Sequence, residues 1–196
     1  MSGYQILQPD TSIRITDTKS RTVTPKAPAV GSFSTKVEQF GPLFQVTFTL
    51  NNVGQTVVNG TEYQSTELAT LPEGRFYVIG SVASLQQKTT SALASTLNAS
   101  STGAISVGTA AASDTTLSST MVDLIPSTAF TSSATVNVAG TAVNAVLASP
   151  AVFDGTSSAK KVYLNTAYAT TTDVDGDATQ TISGTIRITF VWLGDL

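Results

Sequence analysis

The chain has 196 residues, no cysteine and no histidine, and a formal net charge of −3 with only 12% charged residues. The missing cysteines exclude disulfides and zinc–thiolate sites, and the missing histidines remove the side chain most often used as a general acid or base near neutral pH. An enzyme is therefore the least expected class of function. We predict no catalytic residue, no cofactor-binding residue and no metal ligand.

Hydroxyl side chains take the place of the usual charges, with 33 Thr and 23 Ser. Threonine is β-branched, which suits a pleated surface and costs rotamer freedom in a helix. The first residues lack the basic and apolar regions of a secretory signal, and no run approaches the ~20 apolar residues needed to cross a bilayer. We therefore expect an all-β protein that is made in a cytoplasm and has no membrane partner.

Residues 1–36 differ from the rest because they are basic and are interrupted by three prolines. Alternation in residues 12–16 predicts one short strand, but the segment as a whole is predicted to be an extended N-terminal arm. Such an arm either is a solvated terminus or lies on another subunit. Residues 37–196 are predicted to form the folded domain. The arm's charged residues are Asp10, Arg14, Asp17, Lys19, Arg21, Lys26 and Lys36, a net charge of +3 from five basic and two acidic residues.

The first strand is predicted over residues 43–50, where apolar and polar side chains alternate with a period of two. Residues 51–54 (Asn-Asn-Val-Gly) are predicted to be a turn. Asn59-Gly60 is predicted to be a hairpin turn, because both residues tolerate positive φ. A turn over residues 71–74 leads into a strand over residues 75–85.

The strand over residues 75–85 is apolar on both sides: Phe76 and Val78 point one way, and Tyr77 and Ile79 point the other way. This pattern is typical of a strand whose two faces are both covered.

The middle of the chain carries weaker patterns. Residues 86–103 predict a polar loop, with a helical turn around residues 92–97 as the alternative. Asp114 is predicted to cap a short helix or turn, and an apolar cluster follows at Met121, Leu124 and Ile125. Further strands are predicted over residues 104–107, 135–138, 142–148 and 161–168, with turns at residues 154–155 and 173–177.

The last strand has the clearest pattern. Between residues 181 and 193, one face carries Ile182, Gly184, Ile186, Ile188, Phe190 and Trp192, and the other face is polar. A slip of one residue would expose every large side chain, so this pattern fixes the register. Several short strands with no long helix predict a β-sandwich or jelly roll.

Few residues suggest chemistry. The acidic turn Asp173–Asp177 could wrap a calcium ion, but an EF-hand would need Glu where Gly184 stands, and a hairpin turn is the preferred interpretation. Carboxylate pairs could hydrolyse glycosides without histidine, but nothing in the sequence places a pair across a cleft. The candidate pairs are Glu62 with Glu67 and Asp114 with Asp123. Lys160-Lys161 is an isolated basic pair, and with a pI of about 4.7 no nucleic-acid partner is expected.

A family likeness rests on several short motifs. Leu71-Pro72-Glu73-Gly74 leads into Phe76-Tyr77-Val78-Ile79-Gly80, Ser106-Val107-Gly108-Thr109-Ala110 ends a later strand, and Gly184-Thr185-Ile186-Arg187-Ile188-Thr189-Phe190 lies near the carboxyl end. Over residues 43–196 the chain resembles the head decoration (cement) proteins of tailed bacteriophages. The resemblance implies a jelly-roll module without catalytic residues, which sits, often as a homotrimer, on the outer surface of the virion head. Its partner would be the major capsid protein.

Other functions remain open on the sequence alone. The chain could be another virion component, such as a tail tube, a head–tail adaptor or a fibre tip. It could also be a carbohydrate- or cell-surface-binding β-sandwich, since aromatic rings can stack on sugars. The aromatic candidates are Tyr63, Tyr77, Tyr163, Tyr168 and Trp192, although the pattern of the last strand predicts that Trp192 packs in the core.

Overall fold

The computed structural model describes residues 22–90, 101–133, 135–147, 149–168 and 177–194. These residues form β-strands and one 3-10 turn (Ser119–Met121), and no α-helix occurs among them. The strands are β1 (Thr24–Pro25), β2 (Ser32–Phe40), β3 (Leu43–Val57), β4 (Tyr63–Thr70), β5 (Gly74–Thr89), β6 (Thr102–Gly108), β7 (Ile125–Thr131), β8 (Ala139–Val146), β9 (Ala151–Gly155), β10 (Lys161–Tyr168) and β11 (Ala178–Gly194).

The strands form two antiparallel sheets packed together. Sheet A has the order β1-β4-β10-β6-β7, and sheet B has the order β2-β3-β11-β5-β8, with β9 also paired to β5. β8 and β9 follow one another along the same edge of β5. From β3 onwards the chain crosses repeatedly between the sheets, and β3 and β11, far apart in sequence, lie side by side. This strand order is that of a jelly roll, as the sequence predicted.

The core lies between the two sheets. These segments form strands because every second side chain can then be buried in it. In β11 the inward positions Ile182, Ile186, Ile188 and Phe190 are fully buried, which confirms the predicted face. Trp192 is partly buried and packs against the same core. Burial of this alternating face is the main favourable free energy of such a fold.

One predicted turn is a strand in the structure, and one predicted hairpin turn is a turn between the two sheets. Residues 51–54 lie inside the long strand β3, where Asn51 and Asn52 together face Ser183 in a β-bulge, and Asn52 has a φ of 50°. Asn59-Gly60 does form a turn, but it joins β3 of sheet B to β4 of sheet A, so it is not a hairpin. Residues that accept positive φ serve bulges and sheet-to-sheet connections as well as hairpins.

The predicted boundary of the arm at residue 36 also needs correction. Strand β2 begins at Ser32 and pairs along its whole length with β3, while β1 pairs with β4. Phe33 and Val37 pack against the core, so residues 22–36 belong to the sandwich. Residues 1–21, including the short strand predicted over residues 12–16, lie outside the described residues.

In the middle of the chain, β5 continues to Thr89 and therefore occupies the start of the predicted loop, while residues 91–100 lie outside the described part. Residues 135–138 form a turn rather than a strand, and β8 begins at Ala139. Asp154 and Gly155 end strand β9, and the chain bends only after them. The 3-10 turn starts after Ser118, so Asp114 does not cap it, but Asp114 does accept a hydrogen bond from the Thr116 N–H at a bend, as the alternative of a capped turn predicted.

Candidate interaction surface

One row of apolar side chains crosses the outer face of sheet B. The strand register places Phe40 opposite Leu43, Leu43 opposite Val191, Val191 opposite Tyr77, and Tyr77 opposite Val152. Directly opposed residues in antiparallel strands share one face. Five strands (β2, β3, β11, β5 and β9) thus contribute one side chain each to what we call the outer row.

The outer row continues into neighbouring apolar side chains. Ile79 and Leu193 stand two residues beyond Tyr77 and Val191, and Val82 is paired with Val146 further along β5. Within the outer row, Phe40 (64%), Val152 (61%) and Tyr77 (37%) are exposed, whereas Leu43 and Val191 are partly buried. Exposed apolar side chains that gather on one face of a sheet make this surface a candidate interaction site.

The outer row is backed by an aromatic ladder on the inner face of the same strands. Phe44 stacks on Phe190 with ring centroids 5.3 Å apart, Phe190 contacts Phe76 at 5.6 Å, and Phe76 contacts Phe153 at 6.3 Å. Each of these aromatic residues is the sequence neighbour of a member of the outer row. This end of sheet B is therefore apolar on both faces, and its outer row sits on a tightly packed, rigid support.

Charges around the outer row are mostly neutralised within the protein. Lys36 pairs with Glu38 at 2.8 Å, and Arg75 pairs with Asp154 at 3.4 Å. Arg187, which lies between Thr47 and Val82 in the register, forms no ion pair with the described residues. A partner of the outer row would accordingly meet an apolar strip with little uncompensated charge at its borders.

No hydrogen bond joins the candidate carboxylates to one another among the described residues. Glu62 is buried in the connection before β4, and Glu67 lies within that strand. Asp114 accepts hydrogen bonds from the Thr116 N–H and the Thr115 hydroxyl in an exposed turn. Asp123 is bonded to Thr109.

Within the described ranges, no group of three or more His, Cys, Asp or Glu side chains is placed to hold a metal ion. Of the acidic turn 173–177 only Asp177 is described, and its Oδ1 accepts a hydrogen bond from the Asn59 N–H. No helix in the described segments has the length and hydropathy to span a membrane.

The aromatic candidates lie in four different environments. Tyr168 is fully buried, and its hydroxyl donates to Gln180 Oε1 at 2.7 Å. Trp192 is partly buried and donates from Nε1 to the Glu73 carbonyl. Tyr77 belongs to the outer row, whereas Tyr63 and Tyr163 line a groove on the opposite sheet.

Sequence reasoning missed most of the outer row. The available signal was a set of adjacent apolar residues, one facing inwards and one outwards, in strands that otherwise alternate. These doublets are Leu43-Phe44, Phe76-Tyr77, Val152-Phe153 and Phe190-Val191. A comparison with protein-family models finds no match, and a comparison with curated proteins also finds none.

Proposed function

We propose that this chain is a structural virion protein that decorates and stabilises a bacteriophage capsid by bridging capsid subunits. The observation that carries the proposal is the outer row on sheet B, an exposed apolar strip fixed on a rigid sandwich. The sequence of β5 is typical of a strand covered on both faces, yet Tyr77 and Ile79 are exposed in the single chain. A partner surface would complete that burial.

The mechanism is contact rather than chemistry. A packed head is under outward pressure, and a clamp that buries area across the joint between two subunits opposes their separation. Burial of the outer row would supply the favourable free energy, because apolar area removed from water contributes roughly 25 cal/mol per Å² before the costs of association. The partners are the major capsid protein and, by the family resemblance, two further copies of this chain in a homotrimer on the outside of the head.

The basic arm has a smaller electrostatic role in this proposal than its sequence suggests. Lys26 pairs with Glu67 at 3.2 Å and Lys36 pairs with Glu38, so both charges have partners within the sandwich. Residues 1–21 keep three basic and two acidic residues, a net charge of +1 instead of +3. We expect the apolar contact to dominate attachment, with residues 1–21 as a secondary contact to an acidic capsid surface.

The test is co-sedimentation of the purified chain with heads that lack it. The double variant Tyr77→Lys and Val152→Lys should reduce occupancy at least tenfold, because two charges would be buried against an apolar partner. The matched control, Ser34→Lys with Ser84→Lys, adds the same charge to the same face further along the strands.

Equal occupancy for both double variants would overturn the assignment of the surface. Absence of any binding by the unaltered chain to heads, combined with binding to tails, would instead favour the tail-tube, adaptor or fibre reading. Light scattering of the free chain tests the proposed trimer directly.

A further inference from the structure

A concave feature lies on the outer face of sheet A, on the opposite side of the sandwich from the outer row. It is a groove of about 460 Å³ between strands β4 and β10 and the loop that carries Ala111 and Ala112. Ligand sites in proteins are concavities of this order. Because it belongs to the other sheet, this groove does not depend on the proposed capsid contact.

Two tyrosines flank the groove. Tyr63 is opposite Ala167, and Tyr163 is opposite Glu67, so both side chains lie on the outer face of sheet A. The two register positions are four residues apart, or ~13 Å along the strands. Tyrosine offers an apolar ring face together with a hydroxyl that can donate or accept a hydrogen bond.

A fixed carboxylate lies beside Tyr163. Glu67 Oε2 accepts from Lys161 at 3.1 Å and from Lys26 at 3.2 Å, while its Oε1 accepts no hydrogen bond from the described residues. Burial alone would raise the pKa of Glu67, but these lysines outweigh it and hold the pKa below its ordinary value. Glu67 is therefore ionised at neutral pH and leaves one oxygen able to accept hydrogen bonds from a ligand.

Hydrogen bonds of the Asn165 side chain hold the wall of the groove in place. Asn165 Oδ1 accepts from the Ser65 hydroxyl at 2.6 Å and from the Ala112 N–H at 3.0 Å. Asn165 Nδ2 donates to the carbonyls of Ala110 and Met121. The loop is thus tied to β10 by a buried side chain, and the groove is formed in advance of binding, which lowers the entropy cost of occupying it.

We propose that this groove binds a neutral oligosaccharide, with Tyr63 and Tyr163 stacking against sugar rings and Glu67 accepting hydrogen bonds from sugar hydroxyls. Stacking uses the apolar C–H face of a sugar, and the distance between the tyrosines accommodates more than one ring. Glu67 is the sole charged residue among those described that line the groove. Its charge is already offset by two ammonium groups, so the lining presents no strong charge of its own and suits a neutral ligand.

The experiment is saturation-transfer NMR of the full chain with maltotriose, cellotriose and chitotriose at millimolar concentrations. At least one trisaccharide should bind, and Tyr163→Ala and Glu67→Gln should each weaken that binding at least tenfold. The second variant keeps the shape of the side chain, so it protects the test against a folding defect in the first. The matched control Tyr77→Ala removes a tyrosine from sheet B and should leave the affinity unchanged.

Three outcomes would overturn the inference. The first is no transfer to any of the three sugars from the unaltered chain. The second is sugar binding that survives Tyr163→Ala and Glu67→Gln but is lost with Tyr77→Ala. The third is binding of an oligolysine peptide at this groove with no sugar binding.

Discussion

Two glutamines connect the sheets at the polar end of the core. Gln55 Nε2 donates to the Thr66 hydroxyl, and Gln55 Oε1 accepts from Thr166. Gln180 donates from Nε2 to Gln55 Oε1 and to Thr166, and its Oε1 accepts from Tyr168. The glutamines belong to sheet B and their partners to sheet A, so this network sets how the two sheets face each other.

Replacing Gln180 by Ala should lower the free energy of unfolding by about 3 kcal/mol, because it removes four hydrogen bonds of the buried network. Urea denaturation measures the loss. The control is Gln45→Ala, whose side chain makes one 3.4 Å hydrogen bond to Thr189 on the outer face and should cost less than about 0.5 kcal/mol. Similar losses for the two variants would show that the network does not stabilise the sheet packing.

Asp123 gives the protein a pH dependence opposite to that of most carboxylates. Burial raises the pKa of Asp123 above its ordinary value of 3.8, against the opposing hydrogen bonds from Thr109. The folded state therefore favours the protonated form. The resulting stability is fully present below the unfolded pKa and is lost as the pH rises through the higher folded pKa.

Asp123→Asn, which cannot ionise, should therefore gain stability relative to the unaltered chain as the pH rises from below 3.8 to neutral. Denaturant midpoints across this range measure it. Asp114→Asn is the control, because hydrogen bonds from Thr116 and Thr115 lower the pKa of Asp114. Its contribution is present above the unfolded pKa and lost as the pH falls, so the control should show the opposite trend. Parallel curves for the two variants would contradict the assignment.

Among the elements, β11 is central because it pairs with β3 on one side and β5 on the other. Gly184 lies in β11 beside the bulge of β3 and has a φ of 133°, and a Cβ there would lie 2.1 Å from the Ser84 carbonyl oxygen. In the sequence this glycine looked like a small member of the apolar face. The structure shows that backbone geometry and a neighbouring strand require it.

Gly184→Ala should destabilise the protein by about 3 kcal/mol, from the strained φ and the contact with β5. Thermal unfolding followed by circular dichroism measures it. Gly80→Ala is the matched control on the neighbouring strand, because a Cβ there meets nothing within 4 Å. An unchanged melting temperature for Gly184→Ala would contradict the account of the bulge.

Features that depend on neighbouring residues were predictable from the sequence, whereas features that depend on which strands pair were not. The buried face of β11 was predicted from period-two alternation, because every second residue of the strand is apolar. The bulge at Asn52 and the crossing between sheets at Asn59-Gly60 were not predictable. Asn and Gly indicate that positive φ is tolerated, but they do not indicate which strand the next segment pairs with. Likewise, Tyr63 and Tyr163 are 100 residues apart in sequence, and only the pairing of β4 with β10 brings them to one groove.

At the scale of the whole molecule, the domain begins before residue 37. A chain that starts at residue 41 lacks β1 and β2, and its core loses contact with Phe33 and Val37. We expect its free energy of unfolding to be at least about 2 kcal/mol lower than that of a chain starting at residue 22. Urea denaturation of the two truncated chains tests this. Equal stability would support the predicted arm boundary at residue 36.

The arrangement of the whole molecule also explains why the outer row was not predicted from the sequence. The outer row draws one residue from each of five strands, and these residues run from Phe40 to Val191 along the chain. Alternation identifies the two faces of each strand, but only the register between distant strands aligns the exposed apolar residues into one strip.

We propose that the outer row of sheet B is covered by another protein in a virus particle. Hydroxyl-radical footprinting of the free chain and of the particle-bound chain tests it most directly, because it reports the exposure of individual side chains. We predict that Phe40, Tyr77 and Leu193 lose reactivity on binding while Tyr63 and Tyr163 keep theirs. Undiminished reactivity of Phe40 and Tyr77 on the particle, with protection on sheet A, would contradict the account.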